Sequence, residues 1–505
     1  MSARGGAGLL GVVVTGGAVL LAEILAALAG SGPGPVEAVA ERFIDHTPAW
    51  LKDLAIAAFG TWDKLALSVG IAVVMTLLAV LAGRSEYRRR WAGAAVVLGQ
   101  GLVAALAIFT HPQGGLSATW PVLVGSVVGA LVLSAVLAPP ERWDPGRAMA
   151  DRRVLDRRSL LIGAGVLGAA ALVGAGVTRV VQARRPPTLP RALPSPATPA
   201  RPVPAGATFD VRGLTPFRTP NADFYRIDTA FFAPQVDAAS WELRVHGLVD
   251  QEVRMTLEDL LEEPMTEAWV TLACVSNEVG GDLVGNARWL GIPVRDVLSR
   301  AGVQEAADMV LSRSTDGFSA STPLAAMTDD RNALIAVGMN GEPLPPEHGY
   351  PVRLVVPGLY GYVSATKWLA ELEVTRFADA SAYWTDRGWS ERGPVKISSR
   401  IDTPAEGADL APGEVVVAGM AWNQHTGIAE VEVRVDDGEW LPARLAEDVN
   451  VDTWTQWLMV WDATPGEHRL QVRATGRDGE IQTGERTGVV PDGATGWHEV
   501  RVIVA

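Results

Sequence analysis

Five apolar stretches near the start of the chain limit its fold more than any other feature. Each has close to the ~20 apolar residues that a helix needs to cross a bilayer. They occupy residues 9–29, 65–82, 92–110, 120–138 and 160–178. The residues from 209 onward have the composition of an ordinary soluble protein. The sequence therefore predicts a helical membrane bundle at 1–182, followed by soluble structure.

Two arginine-rich connections indicate the orientation of the bundle. One lies between the second and third stretches, at 84–90, and the other between the fourth and fifth, at 142–158. Cytoplasmic loops carry an excess of Lys and Arg, so both connections are expected to face the cytoplasm. The fifth stretch then ends on the opposite side, and everything after residue 180 is predicted to be extracytoplasmic. The chain is thus predicted to be a multi-pass protein located in the cytoplasmic membrane.

A short motif before the fifth stretch is similar to a twin-arginine export signal placed inside the chain. It reads Asp-Arg-Arg-Ser-Leu-Leu, at residues 156–161. Two arginines that simply end a basic loop are the alternative. We favour the export signal, because this export route carries domains that are already folded.

The rest of the chain divides by its patterning. Residues 186–204 contain eight prolines, which favour an extended polyproline conformation and predict a semi-rigid linker at 183–208. Short helices and strands mix in 209–390, which indicates an α+β domain. Regular short strands without helices fill 391–505, which is typical of an immunoglobulin-like β-sandwich. The predicted fold class is therefore multidomain.

Charge and cysteine content narrow the function. The net charge of −14 arises mainly from the second half, which argues against nucleic-acid binding. Cys274 is the only cysteine, so intrachain disulfides and cysteine-cluster metal sites are excluded. A lone thiol at the end of a buried strand is an inert core residue, a nucleophile, or one ligand of a metal held mainly by something other than protein.

Two groups of motifs resemble the sulfite oxidase family of molybdenum enzymes. The first is Cys-Val-Ser-Asn at 274–277 with Asn-Ala-Arg-Trp at 286–289. The second is Met-Asn-Gly-Glu-Pro-Leu-Pro at 339–345, His-Gly-Tyr-Pro-Val-Arg-Leu-Val-Val-Pro-Gly at 348–358 and Lys-Trp at 367–368. The resemblance covers about 209–505 and makes the sandwich similar to the dimerisation domain of that family.

The resemblance implies a molybdenum–molybdopterin cofactor and its residues. Cys274 would be the protein ligand of the metal, since a soft thiolate suits that role. Asn277 and Arg288 would complete the catalytic group, with the Arg288 guanidinium pairing with two oxygens of an oxyanion substrate. Other matched positions would bind the phosphate and rings of the pterin. They are Asn221, Phe224, Tyr225, Arg226, Ser314, His348, Arg353, Ser364, Ala365, Thr366 and Lys367.

The chain departs from the family at two positions. Vertebrate and plant sulfite oxidases follow the Cys-x-x-Asn motif with an arginine, where this chain has Glu278. They also carry an active-site tyrosine where the best match here is Phe318. An added acid and a missing cation weaken the binding of sulfite, because like charges repel strongly in a dry pocket.

The expected function is extracytoplasmic two-electron oxygen-atom transfer on sulfite or a related small oxyanion. The first alternative is an S-oxide, N-oxide or protein methionine sulfoxide reductase, a branch that generally lacks the C-terminal sandwich. The second is an inactive cell-envelope binding module, against which the retained Cys274 and cofactor motif argue. These alternatives differ in substrate and in metal content.

The expected partners follow from this function. They are membrane lipid, an external electron acceptor or donor such as a cytochrome or the quinone pool, and a second copy of the chain bound through the C-terminal domain. No haem is predicted. One cysteine cannot form a Cys-x-x-Cys-His attachment site, and His46 and His111 are interpreted as residues at the ends of spans.

Overall fold

The structure is a computed structural model, and part of the chain is described. The described residues are 3–29, 33–47, 63–112, 114–137, 192–230 and 233–505. The predicted fifth span at 160–178 and the twin-arginine-like motif at 156–161 lie outside them. The chain forms two compact units, which we call the membrane unit and the soluble unit. The membrane unit is Met1–Pro187 with Thr229–Phe232, and the soluble unit is Thr188–Asp228 with Ala233–Ala505.

Five helices are described in the membrane unit. They are α1 (Ala3–Ala29), α2 (Pro35–His46), α3 (Asp63–Arg88), α4 (Ala92–Thr110) and α5 (Trp120–Leu137). Four of these regions are long and apolar enough to cross a membrane, namely all except that of α2. The expectation of a helical bundle in this half is confirmed. Helix α2 was not predicted, because it is short and polar on one side.

Helix α3 continues beyond the predicted end of its apolar stretch at residue 82, as far as Arg88. The extension places Glu86 next to the start of α4, where its carboxylate accepts hydrogen bonds from the backbone N–H groups of Trp91 (2.8 Å) and Gly93 (2.9 Å). A carboxylate at a helix N-terminus satisfies otherwise unpaired donors and the helix dipole. Glu86 is therefore a buried cap that joins α3 to α4.

The first part of the soluble unit contains ten strands and four short helices. The strands are β1 (Glu242–Gly247), β2 (Val253–Thr256), β3 (Thr266–Ala273), β4 (Val284–Pro293), β5 (Met309–Ser314), β6 (Ser319–Pro323), β7 (Leu334–Met339), β8 (Glu342–Pro343), β9 (Arg353–Val355) and β10 (Leu369–Thr375). The helices are α6 (Leu257–Glu262), α7 (Val294–Ala301), α8 (Leu324–Thr328) and α9 (Gly361–Ser364).

These strands form two sheets. One has the order β2-β1-β10-β5-β6, in which β1 and β10 are parallel. The other has the order β3-β4-β7-β8, with β9 paired to β7. Local signals explain the helices: Asp259 N donates to the Thr256 hydroxyl at the start of α6 (3.2 Å), and Gly302 adopts a left-handed conformation at the end of α7. This part of the chain is an α+β domain.

The last part of the soluble unit is a β-sandwich. Its strands are β11 (Ser398–Thr403), β12 (Ala408–Leu410), β13 (Gly413–Trp422), β14 (Ile428–Val435), β15 (Leu441–Pro442), β16 (Arg444–Leu445), β17 (Thr455–Ala463), β18 (Gly466–Gly476) and β19 (His498–Val504). One sheet has the order β11-β13-β17-β16 and the other β12-β19-β18-β14-β15. A turn at 436–438 joins β14 to β15, which are antiparallel.

The described end of the proline-rich segment is part of the soluble unit. Thr198 forms a parallel bridge with Thr266 at the start of β3, and the Trp269 indole N–H donates to the Arg201 carbonyl (3.2 Å). A polyproline-like backbone makes no internal hydrogen bonds, so it can pair with the edge of a sheet. Residues 192–208 therefore differ from the free, extended linker that we expected.

Candidate active site

The Cys274 loop, residues 274–283, connects β3 to β4 and begins at the cysteine. The Cys274 N–H donates to the Leu283 carbonyl (2.9 Å), and the Asn277 N–H donates to the Cys274 carbonyl (3.1 Å). The Asn277 side-chain oxygen accepts from the Leu283 N–H (2.9 Å). The carboxamide oxygen of Asn277 is thus engaged in closing the loop, so the structure indicates a positioning role for this residue.

The Cys274 thiol is buried, and two tyrosines, Tyr225 and Tyr360, lie near it. Cys274 is only 7% exposed, and this burial raises the pKa of the thiol. Hydrogen bonding to Ser276 lowers the same pKa. Burial raises the pKa of the Tyr225 phenol, and proximity to Cys274 raises it further. Burial likewise raises the pKa of Tyr360 to about 12, with Cys274 again contributing. A buried thiol of this kind becomes a thiolate when a metal binds it.

Arg353 is a buried cation that, like Cys274, lies near Tyr225. Arg353 is 5% exposed. Its guanidinium donates to the carbonyls of His348 (3.1 Å) and Ala365 (3.2 Å), and it lies 4.9 Å from the centre of the Trp289 ring. Burial lowers its pKa to about 10, and the Tyr225 phenol opposes that shift. No described carboxylate forms an ion pair with it. Because a buried charge without a counter-charge is costly, the position suits an anionic ligand such as a phosphate.

His348 lies beside Arg353 in its neutral form. Its Nε2–H donates to the Asn221 carbonyl (2.8 Å), and its ring packs edge-on against Phe224 at a centroid distance of 5.7 Å. Burial lowers its pKa to about 4, and the positive charges of Arg353 and Lys367 contribute to the decrease. The Nδ1 atom therefore carries a lone pair that can accept a hydrogen bond from a pterin ring.

Lys367 and Arg226 are held by a carboxylate that the sequence did not reveal. Asp228 accepts from the Lys367 ammonium (2.6 Å) and from the Arg226 guanidinium (2.8 Å). Lys367 also donates to the Glu347 carbonyl (3.2 Å). Burial lowers the pKa of Lys367 to about 8, although Asp228 acts in the opposite direction. The charges of Arg226 and Arg353 also lower the pKa of Lys367, so the three cations form one positively charged region.

Arg288 does not join this group. On β4 it lies opposite Trp269, and β3 runs on for roughly 17 Å, at 3.3 Å per residue, before it reaches Cys274. Its guanidinium forms an ion pair with Glu267 (3.1 Å) and is partly exposed. The expectation that Arg288 lines the pocket at Cys274 is not met in this structure, because the strand register separates the two residues.

Three hydroxyl residues from the predicted set are engaged in local structure. The Ser314 hydroxyl donates to the Asp316 carboxylate (2.5 Å), and the Ser364 hydroxyl donates to a main-chain carbonyl four residues earlier (3.0 Å). The Thr366 hydroxyl shares a hydrogen bond with Ser312 (2.7 Å). Any contact of these residues with a cofactor would therefore rely on their main-chain atoms.

Sequence reasoning missed Asp228 and Tyr360, and it could have found both. Asp228 follows Arg226 by two residues, a spacing at which an acid and a base in an extended segment lie on the same side. Tyr360 lies within the second motif group, immediately before helix α9. Phe318, the match to the family tyrosine, packs against Tyr383 at a centroid distance of 5.8 Å.

The chain is similar to several known proteins. A family model described as "oxidoreductase molybdopterin binding domain" matches 230–384, and one described as "bacterial Ig domain" matches 398–472. Mitochondrial sulfite oxidase of Macaca fascicularis is 29% identical over 342 residues, covering 57% of this chain and 62% of that enzyme. The oxidoreductase YuiH of Bacillus subtilis is 35% identical over 157 residues, covering 31% of this chain and 76% of that protein. The structure of the sulfane dehydrogenase SoxCD of Paracoccus pantotrophus superimposes with a TM-score of 0.48 and 24% identity, covering 56% of this chain and 81% of that chain.

The α+β domain, which contains the buried thiol and the cluster of cations, is a molybdopterin-binding oxidoreductase domain by its match to the family model, and an Ig-like sandwich follows it. The matches make the assignment more specific, and the chain belongs to the sulfite oxidase family of molybdopterin oxidoreductases. The chain spans about three-fifths (62%) of the length of the macaque enzyme.

Acidification is expected to destabilise the cofactor-free chain. The pKa of His348 is about 4 when folded and 6.5 when unfolded, so the unfolded state binds more protons between these values. Stability should fall as the pH falls from 6.5 to 4, by at most about 3 kcal/mol for this residue. Tryptophan fluorescence during urea unfolding of the full chain in detergent, at a series of pH values, would measure the change.

The variant His348→Asn should make this pH dependence shallower. His498 also has a pKa of about 4 and would retain its own contribution. His468→Asn is a control of opposite sign, because hydrogen bonding to Asp436 raises the pKa of His468. An unchanged slope in His348→Asn would show that this imidazole is not neutral and buried as described.

Proposed function

We propose that this chain is a molybdopterin-dependent oxidoreductase that catalyses two-electron oxygen-atom transfer on a small substrate. The observation that carries the proposal is that Tyr225 lies near both a buried thiol, Cys274, and a buried cation, Arg353, for which no described carboxylate is a partner. A bound molybdenum–pterin group would transfer the oxygen atom, and it would accept two electrons from a substrate that is oxidised or donate two electrons to a substrate that is reduced. The family to which the chain belongs supports this chemistry.

The residues of the chain would act mainly by binding and orienting this group. Cys274 would be the thiolate ligand of the metal. Arg353 and Lys367 would bind the phosphate of the pterin, and the neutral His348 would accept a hydrogen bond from its ring system. Tyr225 would help to close the site against water, since its ring lies near Cys274.

Sulfite or a related small oxyanion is the first candidate substrate, since the sulfite oxidases are similar over more than half of this chain. An S-oxide or N-oxide is the second candidate, and one observation favours it. Arg288 pairs with Glu267 rather than lying at Cys274, and Glu278 stands in the Cys274 loop itself. A site with fewer free cations binds a dianion less strongly than a neutral molecule.

Metal analysis and activity assays on the same preparation would test this function. The full chain, produced in a host that makes the cofactor, is expected to contain molybdenum and pterin at close to one per chain. It should oxidise sulfite with an artificial acceptor, or reduce an S-oxide with an artificial donor. Absence of both molybdenum and pterin would contradict the proposal and favour an inactive binding module.

We further propose that the soluble unit is held on the extracytoplasmic side of the membrane. Four apolar helices are compatible with anchoring in lipid, and the arginine-rich connections supply the orientation. The electron partner would be a cytochrome or the quinone pool on that side. The C-terminal sandwich would allow a homodimer, as in the family that it resembles.

Replacing Arg157 and Arg158 together with lysine is expected to leave the soluble unit in the cytoplasm. The twin-arginine export route recognises the arginine pair, so lysines that preserve the charge should not substitute. Protease accessibility in spheroplasts would measure the location. The matched control is the preceding pair, Arg152→Lys with Arg153→Lys, which should export normally. Normal export of the Arg157 and Arg158 variant would contradict the signal.

A further inference from the structure

The C-terminal sandwich reaches the Cys274 loop through Arg400. This arginine, on β11, is 8% exposed and donates to the Gly281 carbonyl (2.7 Å). It also forms an ion pair with Asp402 (2.6 Å) and donates to the Thr215 hydroxyl (3.0 Å). Each of the three guanidinium nitrogens of Arg400 therefore donates to a partner. One of these partners is a main-chain carbonyl of the loop that begins at Cys274.

His498 holds the same loop from a second strand of the sandwich. Its imidazole lies so close to Gly280 that an added Cβ would collide with the ring. Gly280 has a φ of +83°, a conformation that glycine adopts without strain. The Ile401 N–H donates to Nδ1 of His498 (3.0 Å), which fixes the orientation of the ring. The oriented ring of His498 thus packs directly against the loop at Gly280.

The sandwich also covers the outer edge of β3, the strand that ends at Cys274. The Thr271 N–H donates to the Asp452 carbonyl (2.9 Å), and the Trp454 N–H donates to the Thr271 hydroxyl (2.8 Å). The Gln424 side chain donates to the Thr271 carbonyl (3.0 Å). Edge strands otherwise leave these groups unpaired. Two loops of the sandwich, one with Gln424 and one with Asp452 and Trp454, therefore replace the missing neighbouring strand.

Little free space remains where the loop meets the sandwich. A cavity of about 20 Å³ lies between them and is lined by Asn277, Gly280, Tyr360, Ser399 and Gln482, among others. That volume accommodates about one water molecule. The loop therefore cannot shift far without displacing side chains of the sandwich. Packing against the sandwich thus restrains the loop that begins at Cys274.

We infer that the C-terminal sandwich is a positioning element of the active site, acting through Arg400 and His498 on the Cys274 loop. This inference rests on the proposed function, in which Cys274 binds molybdenum. Residues that orient a metal ligand change affinity or activity by about 10- to 100-fold when they are removed. The sandwich would thus contribute to catalysis within one chain, whether or not it also joins two chains.

A double-mutant cycle on Gly280 and His498 in the full, cofactor-loaded chain would test the inference. Gly280→Ala should lower kcat by about 10-fold or more and change the electron paramagnetic resonance spectrum of the bound molybdenum. Adding His498→Ala removes the ring with which the new Cβ collides, so the double variant should regain part of both losses. If the effects of the two substitutions are simply independent, the proposed contact does not position Cys274.

Arg400 supplies an independent arm of the experiment. Arg400→Met should lower kcat with little effect on KM and alter the same spectrum, and Arg400→Lys should restore part of the loss. Arg469→Met is the matched control and should resemble wild type, because this arginine lies on β18 and pairs with Asp437. A wild-type spectrum in Arg400→Met would overturn the inference. Should Arg400→Met fail to fold, the cycle on Gly280 decides. Wild-type chain without molybdenum would instead contradict the proposed function, so the two failures are distinguishable.

Discussion

Replacing Cys274 with serine is expected to lower kcat by at least about 100-fold, since even residues that only orient a metal ligand account for 10- to 100-fold. Cys274 is the only thiol in the chain, so no other cysteine can take its place. Serine offers a hard oxygen where the metal is expected to prefer a soft thiolate. The measurement is turnover with sulfite and with an S-oxide, each expressed per bound pterin.

A nearby serine provides the matched control for this variant. Ser276 hydrogen-bonds to the thiol, and Ser276→Ala should have a much smaller effect because the sulfur itself remains. Pterin content should persist in Cys274→Ser, because the expected phosphate contacts lie elsewhere. Turnover close to wild type in Cys274→Ser, with normal circular dichroism, would rule out the thiol as the metal ligand.

Replacing Arg353 with methionine is expected to weaken retention of the pterin by on the order of 100-fold. Removing one member of a buried, hydrogen-bonded charge pair costs about 2–5 kcal/mol, which corresponds to roughly 30- to 5,000-fold in affinity. Methionine has a similar length and packs against apolar surroundings without a charge. Pterin released from purified protein and measured by its fluorescence would report the loss.

Stability without the cofactor should change in the other direction or hardly at all. The guanidinium of Arg353 is buried with no described carboxylate beside it, so methionine removes a desolvation penalty. The unfolding midpoint of the cofactor-free variant should therefore equal or exceed that of wild type. Arg473→Met is the control, because this arginine pairs with Glu432 in the sandwich and should not affect pterin content. Full pterin content in Arg353→Met would contradict the phosphate contact.

Several features of the fold followed from local sequence. Helix α6 begins with the Thr256 and Asp259 capping pair, and α7 ends before Gly302. The apolar stretches also predicted four of the membrane-unit helices. These features depend on side chains within one or two turns of each other or on continuous hydrophobic length, and both are readable along the chain.

The candidate site was predictable in part. Cys274, His348, Arg353 and Lys367 were identified from their order and spacing. The structure places Cys274 and Arg353 near Tyr225, His348 against Phe224, and Lys367 near His348. Arg288 was also expected there, but the β3–β4 register places it beside Trp269. Spacing along the sequence cannot reveal such a register, because it depends on how two strands pair and on which turn joins them.

The sequence by itself determined the composition of each half, the single thiol, and the motifs that assign the chain to its family. Only the tertiary structure decided which groups meet: Asp228 with Lys367, and Arg400 with the loop of Cys274. These contacts join residues that lie 139 and 119 positions apart. Buried polar groups must find partners wherever folding places them, and that requirement acts on distance in space rather than along the chain.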